Sequence, residues 1–400
     1  MNKLKLNRRI FLKTSVAGAF GATLGTKVNT GSIRNENQDV GIITRKLGKT
    51  DMVLPIVSMG AMRSDMPGLI KAAYDSGIRH FDTAHGYQGG NNEMMLGNLF
   101  KDYTRDSFTI ATKVHPDDTD RKTGELGPGS TRESFLEKLD ISLKRLQMDY
   151  VDILYHHGVS ARQALMFEPV LGAMMTARKE GKARYIGVST HRNEPEVIQA
   201  AIDSGEIDVV LTSVNFKQDH YPELKEKIAL AAEKGIGIIA MKTMAGGFLD
   251  RERTRPVNCK AALKWVLQDP NVHTSIPGIT SFDMLTENLS VMKDLKLTEE
   301  ELRDLQDAGL IAGLYCDGCP ACSENCKKGL PVHDIMRSYM YAYGYHDFRK
   351  AREVLETIGV SGNPCDDCDI CTIKCTKNFN VAGKIKDISR LTVMPDEFLA

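Results

Sequence analysis

The sequence predicts an α/β protein, a (β/α)8 barrel of the TIM type followed by a small, α-helical C-terminal domain. Three observations carry this expectation. Between about residues 40 and 310, short β-branched runs alternate with longer amphipathic stretches, the pattern of repeated βα units around a parallel sheet. Eight such runs can be counted, which favours a closed barrel over an open, doubly wound sheet. Eight of the 9 cysteines fall between Cys316 and Cys375, with Cys259 alone before them, so the end of the chain has a local need for sulfur that the rest lacks. At 400 residues the chain also exceeds what one hydrophobic core usually serves.

In chain order, residues 1–39 are expected to be a signal and linker. Asn7-Arg8-Arg9-Ile10-Phe11-Leu12-Lys13 precedes a short, weakly apolar run from Ser15 to Leu24, which resembles a twin-arginine (Tat) export signal. That run is too short to span a bilayer, and the polar stretch from Asn29 to Asp39 reads as a linker. Such a signal implies export by the Tat translocase to a periplasmic or membrane-associated site, or a cytoplasmic protein if the signal is not used. Residues 40–308 are expected to be the barrel. A hairpin over Ile43 to Leu54, with Gly48 at its centre, should close the floor. The eight strands are expected at Ile56–Met59, Ile78–Phe81, Phe108–Ala111, Val151–Leu154, Tyr185–Val188, Val209–Thr212, Ile236–Ile239 and Val272–Ile276. Between them lie helical stretches such as Arg132 to Leu146, where Phe135, Leu139, Ser142, Leu143 and Leu146 recur at helical spacing. Neither a Rossmann glycine fingerprint nor a P-loop is present.

In such barrels chemistry gathers where strands end and βα loops begin. Asp82 follows the second strand in Asp82-Thr83-Ala84-His85-Gly86-Tyr87, Lys113 ends the third, and His157 ends the fourth in Tyr155-His156-His157. The segments GIRHFDTAHGYQGGNNEMMLG, ATKV, LDISLKRLQMDYVDILYHH, GKARYIGVST and TSIPGITSFDMLTENL are similar to successive landmarks of the aldo-keto reductases and span about the whole barrel. The resemblance implies an NAD(P)H-dependent oxidoreductase acting on a carbonyl or alcohol, with the family's catalytic Asp-Tyr-Lys-His tetrad at Asp82, Tyr87, Lys113 and His157. His157 keeps the family's distance from Asp149-Tyr150 better than His156 does. The chemistry has its own logic. Hydride transfer to a carbonyl makes an alkoxide, so the site needs a positioned proton donor whose pKa is brought toward working pH. A lysine cation beside tyrosine favours the phenolate, an aspartate holds the lysine, and a neutral histidine orients the substrate oxygen.

By the same resemblance the dinucleotide would lie across the mouth. Ser189 and Thr190 would contact the carboxamide, and Met241 would lie where an aromatic ring often stacks on the nicotinamide. Gly246 and Gly247 would admit the pyrophosphate, and Glu287 and Asn288 would reach the adenine. Thr190 and Met241 depart from the commoner Asn and Tyr. Gly278, Ile279 and Met284 stand where many relatives grip a 2′-phosphate, and no cation lies in that stretch.

Residues 309–400 are expected to form a ferredoxin-type domain. Cys316, Cys319, Cys322 and Cys326 repeat the spacing of Cys365, Cys368, Cys371 and Cys375, separated by a helical stretch from Asp334 to Thr357. Three thiolates at every third position can wrap a cubane, and in two-cluster ferredoxins the fourth cysteine ligates the other cluster, so two [4Fe–4S] clusters are expected. Cys375 would then join the first run and Cys326 the second. Structural zinc or disulfides are the alternatives, although zinc usually takes separated cysteine pairs and crowded residues make a poor long-loop framework. Lys327 and Thr376 follow the fourth cysteines where the ferredoxin motif commonly has proline.

Basic and acidic residues balance at 52 each, so the chain carries no electrostatic footprint for nucleic acid. The expected partners are a small carbonyl or alcohol substrate and a redox partner protein. A different class of function is a non-catalytic barrel scaffold bearing an electron-transfer or structural iron–sulfur module.

Overall fold

The computed structural model describes residues 41–399, the side chain of Ser323 excepted. The signal and linker expected over residues 1–39 lie outside them. The chain begins with a hairpin, β1 (Thr44–Lys46) and β2 (Val53–Pro55), antiparallel with Arg45 opposite Leu54. It plugs the barrel floor: Leu47, Met52 and Leu54 pack against Ile153, Tyr155, Val209 and Ile239 inside the barrel. Gly48 has φ 52°, and a Cβ there would stand 2.4 Å from the Gly235 carbonyl oxygen, so only glycine lets the hairpin seat.

Eight parallel strands follow: β3 (Met59–Gly60), β4 (His80–Asp82), β5 (Thr109–Val114), β6 (Val151–His156), β7 (Ala183–Thr190), β8 (Val209–Ser213), β9 (Gly237–Met241) and β10 (Thr274–Ser275). Each pairs in order with the next. Bridges Val57–Ser275 and Gly60–Gly278 bring β10 back to β3 and close the barrel. The first and last strands are shorter than or displaced from the expected runs. At this seam Pro277, which has no N–H, interrupts the ladder, leaving single bonds such as Gly60 N–H to the Pro277 carbonyl at 3.1 Å.

Aliphatic side chains on the outer strand faces, such as Ile110, Leu154, Val188 and Ile238, are sealed by the helices. The helix Arg132–Leu146 spans the expected residues, opened by Thr131, whose side chain accepts from the Ser134 N–H, and ended by Gln147 in the left-handed conformation.

The C-terminal segment contains α1 (Ala321–Asn325), α2 (Val332–Tyr343), α3 (Phe348–Thr357) and α4 (Val381–Ile388), labelled here apart from the barrel helices. Its core gathers Val332, Ile335, Met336, Leu355, Ile385 and Ile388. The stretch Asp334–Thr357, expected as one helix, is two. Gly344 packs so closely on the barrel that a Cβ there would lie 2.5 Å from the Gly246 carbonyl oxygen, His346 takes φ 56°, and Asp347 caps α3 by accepting from the Lys350 N–H. The turn thus follows the surface of the barrel mouth. Further links hold the segment there: Arg63 to Asp347 at 3.6 Å, Lys377 to Asp219 at 2.6 Å and Arg251 to Asp387 at 2.8 Å. Among the described residues no helix is long and apolar enough to cross a membrane.

Candidate active site

Strand alternation decides which groups face the barrel mouth. In β6, Tyr155 points into the barrel and His156 points out, its ring 6.4 Å from that of Phe135, so the following His157 returns inward. By the same period Asp82 in β4 and Lys113 in β5 face inward, whereas Thr112 turns out and donates to Glu93 at 2.6 Å. Asp82 and Lys113 are both buried. The lysine ammonium donates to an Asp82 carboxylate oxygen, to the Thr83 carbonyl at 2.6 Å and to the Tyr87 hydroxyl at 3.3 Å. The Tyr87 and His157 rings meet edge to face, 5.9 Å apart. The structure therefore brings Asp82, Tyr87, Lys113 and His157 together at one end of the barrel.

Tyr87 sits in a turn whose next three residues, Gln88, Gly89 and Gly90, all have positive φ. Side chains not singled out in the sequence hold this turn. Asn92 accepts from the Thr83 hydroxyl at 2.6 Å and donates to the Ala61 carbonyl at 2.8 Å. Arg145 donates to the His85 carbonyl at 2.8 Å and pairs with buried Glu93 at 3.2 Å. Gly90, at φ 94°, takes a backbone conformation that favours glycine, and a Cβ there would press on the Arg145 guanidinium.

The electrostatics differ from the expectation in one respect. Burial, then the charge of Asp82, raises the Tyr87 hydroxyl well above its ordinary pKa rather than lowering it. Tyr341 acts in the same direction, so the phenol keeps its proton. Burial, reinforced by Lys113, pushes His157 well below its ordinary pKa, so its ring is neutral.

Beside these groups lies a cavity of about 1020 Å³. Of the residues expected to hold a dinucleotide, Ser189, Met241, Gly247, Glu287 and Asn288 line it. Two do not. Thr190 is buried on the outward phase of β7, its hydroxyl donating to the Arg192 carbonyl at 3.0 Å. At Gly246 a Cβ would lie 3.2 Å from Met340, so this glycine faces the C-terminal segment instead of the cavity. At the expected 2′-phosphate region Gly278 and Met284 line the wall, whereas Ile279 is buried in the core. A further wall comes from residues to which the sequence pattern assigns no site role: Arg337, Tyr341, Tyr345 and Lys350, all from the C-terminal segment, roof the cavity.

None of the eight clustered cysteines is in a disulfide; Cys322 is buried, and Cys368 and Cys371 are exposed. Burial and the neighbouring sulfurs of Cys375, Cys319, Cys326 and Cys371 push the Cys322 thiol up to about 12. Cys316 feels Cys322 and Cys319, and Cys365 feels Cys368, Cys326 and Cys371. The runs meet directly where the Cys319 sulfur lies 3.7 Å from the Thr376 hydroxyl and Lys328 pairs with Asp367 at 3.1 Å. Among the described residues no three His, Cys, Asp or Glu side chains converge closely enough to hold a single metal ion.

Comparison with known proteins agrees with the barrel. L-glyceraldehyde 3-phosphate reductase of Escherichia coli O157:H7 is 26% identical over 320 residues, covering 65% of this chain and 90% of that one. An aldo-keto reductase from Bacillus halodurans in its holo form superposes with a TM-score of 0.54 at 25% identity, over 67% of this chain and 96% of that one. An aldo-keto reductase from Klebsiella pneumoniae in complex with NADPH shares the fold, with a TM-score of 0.53 at 21% identity over 66% of this chain and 94% of that one. The model of the aldo/keto reductase family matches residues 62–261, the stretch that carries Asp82, Tyr87, Lys113 and His157 at one mouth of a closed parallel barrel, and the chain belongs to that family.

Proposed function

We propose that this oxidoreductase reduces a carbonyl compound with NADH or NADPH and carries two [4Fe–4S] clusters in its C-terminal segment. The observation that carries the reading is the contact of the Lys113 ammonium with both Asp82 and the Tyr87 hydroxyl at the edge of a large cavity. A relative named as a reductase of L-glyceraldehyde 3-phosphate supports an aldehyde as the substrate class.

A bound nicotinamide would supply hydride to the carbonyl carbon. Tyr87 keeps its proton at the hydroxyl until negative charge develops on the substrate oxygen, and then gives it up. Lys113, 3.3 Å away, stabilises the phenolate left behind, and Asp82 holds Lys113 in place. Neutral His157 can donate a hydrogen bond to the same oxygen without competing for the proton. The C-terminal segment covers part of the cavity and would limit the access of water. Ser189, Met241, Gly247, Glu287 and Asn288 would hold the dinucleotide along the cavity wall, Met241 offering a polarizable face to the ring.

The repeated cysteine spacing and the mutual approach of the two runs support the clusters. Cys316, Cys319, Cys322 and Cys375 would hold one and Cys365, Cys368, Cys371 and Cys326 the other. Clusters are inserted where iron and sulfide are available, so the protein would fold in the cytoplasm and, on the strength of Arg8-Arg9, leave through the Tat translocase. The protein should oxidise NADH or NADPH in the presence of a simple aldehyde. Replacing Tyr87 by Phe should lower kcat by about 10²- to 10⁴-fold while circular dichroism and iron content stay unchanged. Turnover retained in that variant would overturn the reading.

A further inference from the structure

The roof of the cavity poses an electrostatic problem that the reduction of a neutral carbonyl leaves unsolved. Lys242, at the end of β9, faces the cavity, and its ammonium reaches the Tyr341 hydroxyl at 3.4 Å and lies 5.2 Å from that ring's centroid. Among the described residues no carboxylate comes within ion-pair distance of it. Arg337 and Lys350, from α2 and α3, line the same cavity and act electrostatically on both Lys242 and Tyr341. Arg337 pairs with Asp334 at 3.1 Å, a carboxylate that also lines the cavity and is shared with His333, and Lys350 pairs with the half-exposed Glu353 at 2.5 Å, so of the three Lys242 alone lacks a carboxylate partner among the described residues.

The combined field is strong enough that the Tyr341 hydroxyl, although buried, is lowered from its ordinary pKa by Lys242, Arg337 and Lys350. Burial desolvates the Lys242 ammonium without giving it a carboxylate partner among the described residues, which is costly, and the further cations lining the same cavity repel it. Such an arrangement is stabilised when an anion enters. His157 and His191 line the same cavity, and the cations act on them as well, Lys350 on His157 and both Arg337 and Lys242 on His191.

We propose that Lys242, Arg337 and Lys350, gathered around Tyr341 where the C-terminal segment roofs the barrel, bind an acidic group, carboxylate or phosphate, carried by the carbonyl substrate. The proposal rests on the reading of the cavity as a carbonyl-reducing site and names its substrate class. Recognition is divided: the barrel supplies the proton, and the C-terminal segment selects a charged substrate. Arg337, Tyr341 and Lys350 lie outside residues 62–261 that match the family, so this selectivity belongs to the added segment.

The test is a calorimetric titration of the full, iron-loaded protein, which needs no turnover. Succinate and inorganic phosphate serve as anionic probes, succinamide as the neutral match, and NADH as the control. At least one anion should bind about tenfold or more tighter than succinamide, as charge-assisted hydrogen bonds imply, and the tighter anion identifies the acid group. Lys242→Met, nearly isosteric, and Lys350→Gln, on a partly exposed helix start, should each weaken that anion about tenfold and leave succinamide and NADH unchanged. Anions binding no better than succinamide would overturn the proposal. So would substitutions that weaken NADH and spare the anions, because the charge would then serve the dinucleotide diphosphate. A Tyr87→Phe variant that still turned over would sink the catalytic reading alone and leave this binding result standing.

Discussion

The barrel and the C-terminal segment place their chemical groups by different means. In the barrel, Asp82 and Lys113 are held by parallel ladders whose neighbouring positions are filled with apolar side chains, as in Phe81 beside Asp82 and Ala111 and Ile110 before Lys113. The scaffold is complete without the groups it carries. In the C-terminal segment the eight thiols lie in or beside loops between helices as short as Ala321–Asn325, and part of its core is borrowed from the barrel, where Ala245 and Met62 pack against it. A segment so poor in regular structure around its cysteines needs a cross-link of another kind, and bound clusters would be that cross-link. A self-sufficient element carries Asp82, Tyr87, Lys113 and His157, whereas a more dependent one supplies the cavity wall with Arg337, Tyr341 and Lys350.

The two regions should respond separately when chemistry is removed from one side alone. Lys113→Met should lower kcat by about two orders of magnitude or more, in line with the loss of a group that stabilises charge in the transition state. Iron content should not change. The pH profile should respond with a definite sign: without the cation, the neighbouring Asp82 charge and burial raise Tyr87 still further, so any alkaline limb of the reduction reaction moves upward. On the acid side the neutral, depressed His157 predicts no loss of activity through the ordinary histidine range. An alkaline limb that moved downward in Lys113→Met would show that the lysine does not favour the phenolate.

The complementary change removes one thiolate. Cys375→Ser should cost about half of the bound iron, since one of two clusters loses a ligand. It should also loosen the roof, raising hydrogen exchange in Val332–Tyr343 while β5 and β6 stay protected. In cells, Arg8→Lys combined with Arg9→Lys should leave a brown, iron-loaded protein inside, whereas Cys375→Ser should give a poorly exported, iron-poor one. A colourless zinc protein exported efficiently would refute both the clusters and the coupling of loading to export.

The smallest effect concerns the dinucleotide. With Gly278 and Met284 in the wall where relatives grip a 2′-phosphate, and with the acidic Glu287 nearby, NADPH should bind no more than about tenfold tighter than NADH, or about 1.4 kcal/mol. A preference of hundredfold or more, measured by fluorescence titration with both cofactors, would assign a phosphate contact to Arg253 or Arg255, which also line the cavity.

Much of the barrel is legible in the chain itself, because strand and helix periods are local. The run of helical spacings from Phe135 to Leu146 matches the helix Arg132–Leu146, and the alternation Tyr155 in, His156 out, His157 in follows from the two-residue repeat of a strand. The same alternation, applied to Ser189, would have turned Thr190 away from the mouth, a signal present in the sequence and outweighed by the family pattern. The repeated cysteine spacing was equally open to view. What tertiary structure alone decided is the other wall of the site. Gly246 faces Met340 instead of the cavity, the stretch Asp334–Thr357 breaks at Gly344 to fit against that glycine, and Arg337, Tyr341 and Lys350 come to lie opposite Lys242, about a hundred residues away in the chain. No local period encodes such a meeting. It depends on where the C-terminal segment docks, and docking is set by non-local contacts such as Arg63 with Asp347 and Lys377 with Asp219, whose partners are ordinary surface residues until the chain has folded.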